Sequence, residues 1–170
     1  MKNLSLTAAL LSLTIVATTQ VRATETITGL AQLTISSLAT QGLTATQIEA
    51  AVEEYFASIG SLDVQRYVNN FASNGVLEDP VGTPPVQGTQ AIAAYFAGII
   101  APFSEIKPKV QEVIVCGNEA AVNWKLKLTT MTGKQITIDG MGVFKFNEAG
   151  KLKSVRGFWD LAAFLQQLQS

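Results

Sequence analysis

The hydrophobic residues of this chain change period near Pro108, and that change decides what it can fold into. Ile48, Ala51, Val52, Tyr55, Phe56 and Ile59 recur at helical spacing and mark one face of a helix ending near Gly60. Thr46 and Glu49 frame its start as a capping box, hydroxyl to backbone one way and carboxylate to backbone the other. Asp63 is placed to cap a second helix with Val64, Tyr67, Val68 and Phe71 as its stripe. Thr89 is placed to cap a third, with Ile92, Tyr95, Phe96, Ile99 and Ile100. Beyond Pro108, segments 109–117, 120–130, 134–147 and 152–160 alternate like strands, with turn residues at Gly117-Asn118, Thr132-Gly133 and Asn147 to Gly150. Val122, Trp124, Leu126 and Leu128 share one strand face while Asn123, Lys125 and Lys127 take the other, so one face is buried and one wet. Asp160 is placed to cap a last helix through Leu161, Phe164, Leu165 and Leu168. Three helices followed by an antiparallel meander predict an α+β domain. A curved antiparallel sheet wraps the three N-terminal helices in a cone-like shape, and a cavity between them suits a small apolar ligand.

The first 45 residues stand apart. MKNLSLTAALLSLTIVATTQVRA carries Lys2, an apolar run from Leu6 to Ala17 and a small residue at Ala23, which is the signal-peptide pattern. The run falls short of the roughly 18 apolar residues that a spanning helix needs. The expectation is a signal peptide over 1–23, export to the periplasm or exterior, and no stable membrane span after cleavage. Residues 24–45 are small and polar and read as a flexible tail, which leaves 46–170 for the domain.

Composition removes whole classes of function. A net charge of −1 with 15% charged residues offers no basic face to nucleic acid or to acidic lipid. With no histidine in the chain, Ser-His-Asp and Cys-His machinery and histidine-based zinc sites are excluded. No cofactor or metal is expected. The lone cysteine, Cys116, ends an apolar strand and is expected to be buried. Acid–base chemistry near neutrality is left to carboxylates, tyrosine or lysine. The stretch LEDPVGTPP, residues 77–85, sets two carboxylates against a turn. Asp79 there is either a solvated turn residue or a pocket group held for proton transfer; Glu78 alternates to the other face.

LEDPVGTPPVQGTQAIAAYF resembles the segment of bacterial ketosteroid isomerases that carries their catalytic aspartate. GNEAAV and FKFNEAGKLKSVRGFW are similar to theirs too, in the same order and at similar spacing, so that the resemblance runs from about Thr46 to Asp160. It implies the nuclear-transport-factor-2-like, or SnoaL-like, α+β cone fold. It implies Asp79 as general base and Tyr55 as oxyanion donor for a double-bond shift next to a ketone, with Trp124, Phe144, Trp159 and Phe96 as pocket wall. Counting back from FKFN, the family's second oxyanion acid falls on Gly142, which implies a larger pocket. Asp139 lies at an odd offset from Gly142 and faces the other way in a regular strand, unless a bulge turns it inward. Tyrosines that buttress the oxyanion donor in some members correspond to Phe71 and Phe96, and Tyr95 points away from the latter. Two functions follow. One is an exported, steroid delta-isomerase-like enzyme acting on an apolar carbonyl compound. The other is a noncatalytic carrier of a small hydrophobic molecule such as a carotenoid or lipid. A homodimer through the outer sheet face is expected in either case.

Overall fold

A computed structural model describes residues 42–169; the signal peptide and nearly all of the tail expected above lie outside the described residues. Helix α1 (Ala45–Ser61) begins one residue before the expected cap. Thr44, in extended backbone, is the cap. Its Oγ1 accepts the Gln47 N–H at 3.2 Å, and the Gln47 side chain accepts the Thr44 N–H at 2.9 Å. Glutamine at this position reaches back as glutamate does, so Thr46 and Glu49 are ordinary helical residues. The helix buries Ile48, Val52, Tyr55 and Phe56 and ends where Leu62 turns left-handed at φ 56°. Asp63 caps the short α2 (Val64–Val68), its Oδ1 accepting the N–H groups of Gln65 and Arg66 at 2.9 and 3.0 Å.

An eight-residue strand, β1 (Phe71–Glu78), follows where only helices were expected. Its alternation is hidden by Ser73-Asn74-Gly75 and by a register shift between Phe71 and Val76. The two-residue β2 (Val86–Gln87) pairs with it. Helix α3 (Thr89–Ile100) takes Gly88 as its cap, with no side-chain hydrogen bond; Thr89 is its first helical residue rather than its cap.

Four long strands complete the sheet: β3 (Phe103–Cys116), β4 (Glu119–Thr130), β5 (Gln135–Phe146) and β6 (Leu152–Phe158). The spatial order is β2-β1-β6-β5-β4-β3. The β3-to-β6 meander is antiparallel, as its period implied, but β1 joins β6 in parallel, so the sheet is not wholly antiparallel. Register shifts within β3, at Phe103/Glu105 and Val110/Glu112, bend that strand and curve the open sheet around the helices. Between β4 and β5 the register runs without a shift, so nothing rotates Asp139 inward. It stays on the wet face and pairs with Lys125 at 2.9 Å.

Val122, Trp124 and Leu128 on β4, with Ile136, Phe144 and Phe146 on β5, face the helices and form the core with them. Cys116 is exposed rather than buried, because it alternates with Val115 onto the outer side of an edge strand. Met141, Val143 and Phe158 are exposed apolar residues of the outer face. Helix α4 (Leu161–Gln169) closes the chain, started by Asp160, whose Oδ1 accepts the Ala163 N–H at 2.9 Å.

Candidate active site

The turn after β1 separates two adjacent carboxylates onto opposite faces. Glu78, still in the strand, stands across from Arg156 of β6. Its Oε2 accepts the guanidinium Nε–H at 3.0 Å, and its Oε1 accepts the Gly82 N–H at 3.0 Å. Both interactions hold its carboxyl below the usual carboxylate range. Asp79 begins the turn with a cis bond to Pro80, and the Val81 N–H donates to the Gly157 carbonyl at 2.7 Å. The Asp79 side chain faces the interior.

There it meets three elements. Trp159, just past β6, donates its indole N–H to Asp79 Oδ1 at 2.5 Å. Tyr95 of α3 donates its hydroxyl to the Asp79 backbone carbonyl. Gly157 of β6 lies directly beneath, where a Cβ would stand 2.0 Å from Oδ1; only glycine lets the carboxylate approach this strand. Among the described residues the second oxygen, Oδ2, has no hydrogen-bond partner, and it is not sealed off, so it opens onto the cavity that Asp79 lines.

That cavity has a volume of about 520 Å³ and lies between the sheet and the helices. Tyr55, Phe96, Trp124, Gly142, Phe144 and Trp159 line it with Asp79; these are the site residues named from the sequence. Among the described lining residues Asp79 is the one carboxylate, and there is no lysine or arginine. Gly142 does not widen it. The Phe144 ring folds over that glycine, where a Cβ would lie 2.6 Å from its Cε2. The missing side chain makes room for a core aromatic rather than for ligand.

Three tyrosines complete the polar end. Tyr55, only 4% exposed, has its hydroxyl 3.1 Å from that of Tyr67 on α2. Tyr67 lies flat on Phe96, with ring centroids 3.8 Å apart and planes 12° apart, so its position is fixed by stacking. Burial raises Asp79 to about 6, and the Trp159 hydrogen bond opposes the rise. Burial foremost, and then the charge of Asp79, push Tyr55 far above the ordinary tyrosine range and Tyr95 up to about 12. Tyr67 is raised well above the ordinary range, again chiefly by burial. The shared hydrogen bond raises Tyr67 but lowers Tyr55. Either hydroxyl of this pair can be the donor; with Tyr67 donating, the Tyr55 proton is left for the cavity. The site thus combines a carboxylate that exchanges its proton near neutrality with phenols that keep theirs. Among the described residues, no cluster of three or more carboxylates or thiols gathers to hold a metal.

Sequence reasoning left Tyr67 and Gly157 out of the site. Tyr67 belongs to an apolar helical stripe and carries no separate signal. Gly157 had one: it takes an inward-facing place in the alternation of β6, where strands carry side chains unless another group needs the space.

Residues 52–155 match the model of the SnoaL-like domain. A steroid delta-isomerase of Nocardioides simplex is 25% identical over 114 residues, spanning 66% of this chain and 89% of that protein. The solved structure of SalBIII superposes with a TM-score of 0.63 at 26% identity, covering 69% of this chain and 94% of that one. SalBIII is described as an epoxide hydrolase/cyclase-like enzyme with a role in pyran ring formation in the polyether salinomycin. With a cavity between curved sheet and helices and more than half of its length matched by the family model, the chain belongs to the SnoaL-like domain family.

Proposed function

We propose that this domain is an isomerase-type enzyme that moves a proton within a small apolar carbonyl compound, with Asp79 as base and Tyr55 as donor to the carbonyl oxygen. The open Oδ2 of Asp79, the one carboxylate among the described residues lining an apolar cavity beside a pair of buried phenols, carries the reading. Oδ2 takes a proton from the carbon alpha to the carbonyl, and the electron pair moves toward oxygen. The Tyr55 hydroxyl, fed by the Tyr67 hydroxyl, donates to the oxygen as negative charge develops there. Asp79 then returns the proton to a carbon further along the conjugated system. No oxidant, water or metal is consumed, and one carboxyl does both transfers. A base poised near the working pH suits this task, and donors already in place in a water-poor cavity stabilise the developing charge. The likeness to a steroid delta-isomerase supports the reaction class.

Turnover of a β,γ-unsaturated steroid ketone, followed by the absorbance of the conjugated product, tests the proposal. Asp79→Asn keeps the shape of the side chain, removes the base, and is expected to cost about 10²–10⁴ in rate. Tyr55→Phe is expected to cost about 10²–10³. Tyr67→Phe, which acts only through Tyr55, is expected to cost about tenfold or less, in kcat rather than KM. Undiminished turnover in Asp79→Asn would falsify the assignment of the base. One observation favours a carrier instead: Phe144 fills the space over Gly142, so no second acid joins the phenols. A hydrophobic ligand retained through purification, with no turnover of the enone, is the outcome that selects the carrier.

A further inference from the structure

The cavity encloses a negative charge that nothing in the described protein balances. At neutral pH Asp79 is the charged group among its lining residues, and the chain has no histidine to assist. The neighbouring cation, Arg156, is turned to the opposite face, where it pairs with Glu78 at 3.0 Å and lies over the Phe158 ring. The titratable groups packed around the carboxylate are neutral phenols: Tyr55 from α1, Tyr67 from α2 and Tyr95 from α3. The Trp159 indole, beyond β6, is already committed to Oδ1 and the Tyr95 hydroxyl to the backbone carbonyl. Oδ2 is left without a partner and open to the cavity.

We infer that this cavity binds protonated lipophilic amines, an alkylammonium on an apolar body, with the ammonium N–H donating to Asp79 Oδ2. Burying an unpaired carboxylate is costly, and an ammonium supplies the partner that it lacks. The walls suit the same ligand. Tyrosine and tryptophan faces attract cations, most strongly where water is excluded, and aromatic and aliphatic side chains take up the hydrocarbon. Anionic amphiphiles such as fatty acids and phosphates meet no cation here and are repelled by Asp79. The inference uses the site of the proposed enzyme but not its chemistry, since binding needs no turnover.

The pH dependence follows from the carboxyl. An ammonium binds the ionised form, and a group titrating at about 6 is about one-tenth ionised at about pH 5 and almost fully ionised at about pH 8. Apparent affinity scales with the competent fraction, so amine binding is expected to strengthen about tenfold between those values. An alkylamine stays protonated throughout, as lysine does. A neutral ligand of the same shape gains nothing.

Calorimetric titration of the full chain with naphthylethylamine and with its neutral counterpart naphthylethanol, at about pH 5 and about pH 8, tests this. The expected result is an amine bound at least about tenfold tighter than the alcohol at the higher pH, with that preference shrinking at the lower pH. In Asp79→Asn the preference is expected to vanish, with the alcohol bound as before. Equal affinity for both compounds in the unmodified protein overturns the inference, as does a preference that Asp79→Asn retains. If Asp79→Asn does not fold, the two pH values and two ligands on the unmodified chain still decide. Amine preference without enone turnover removes the isomerase and leaves this inference standing; enone turnover without amine preference does the reverse.

Discussion

Asp79 sits near neutrality because two effects oppose each other on one carboxyl. Burial raises it and the Trp159 N–H holds it back, with burial the larger. Trp159→Phe keeps an aromatic ring in the wall and removes only the donor. The opposing effect is then lost, and Asp79 is expected to titrate above its present value of about 6. Titration of the carboxyl carbon by NMR reads this directly, and the acid limb of any pH–rate profile moves to higher pH with it. A value unchanged or lowered in Trp159→Phe shows that the bond does not tune the base. The same residue shows how a role escapes sequence reasoning. Trp159 is recognisable as pocket wall from its apolar surroundings, but the direction of its N–H depends on a strand end and a turn 80 residues apart in sequence. Tyr67 escapes in a similar way, since an apolar stripe does not reveal that one hydroxyl finds another 12 residues upstream.

Where α1 starts depends on one hydroxyl, that of Thr44 rather than the expected Thr46. Thr44 and Thr46 each stand a few residues before a side chain able to reach back, but only Thr44 adopts extended backbone with its hydroxyl on the Gln47 N–H. Thr44→Ala is expected to cost about 1 kcal/mol of stability, while Thr46→Ala, an exposed helical change, stays within about 0.5 kcal/mol. Urea melts of the two variants decide, and equal losses would contradict the position of the cap. Longer elements were more legible. The meander announced itself because β4 and β5 keep strict alternation through an unshifted ladder, and α1 because its stripe spans about three turns. Strand β1 stayed hidden because its register breaks between Phe71 and Val76 and its middle is polar. That matters for the site, since β1 is the element that delivers Asp79 to its turn.

An unbalanced charge in the interior burdens the entire fold. Unfolded, the Asp79 carboxyl releases its proton near 3.8; folded, it holds the proton to about 6. Between those values the folded state binds more protons than the unfolded one, so rising pH favours unfolding. Two pKa units correspond to about 3 kcal/mol, which is an upper limit here because one face of the carboxylate opens onto the cavity. Stability lost in this way is fully lost above about pH 6 and fully recovered below about pH 4. Other carboxylates act in the opposite sense. The Arg66 hydrogen bond lowers Glu54, and the Gly82 N–H and Arg156 lower Glu78, so the melting profile of the unmodified protein mixes both signs. The difference between the protein and Asp79→Asn isolates the one group, since asparagine keeps an oxygen for the Trp159 N–H and never ionises. Asp79→Asn is expected to melt several degrees higher at about pH 8 and at nearly the same temperature at about pH 4. A variant equally stable or less stable at both values would mean that the carboxylate is compensated in the folded protein. The proton-transfer role and the affinity for amines both depend on its not being compensated, so a thermal melt bears on the chemistry of the cavity before any substrate is known.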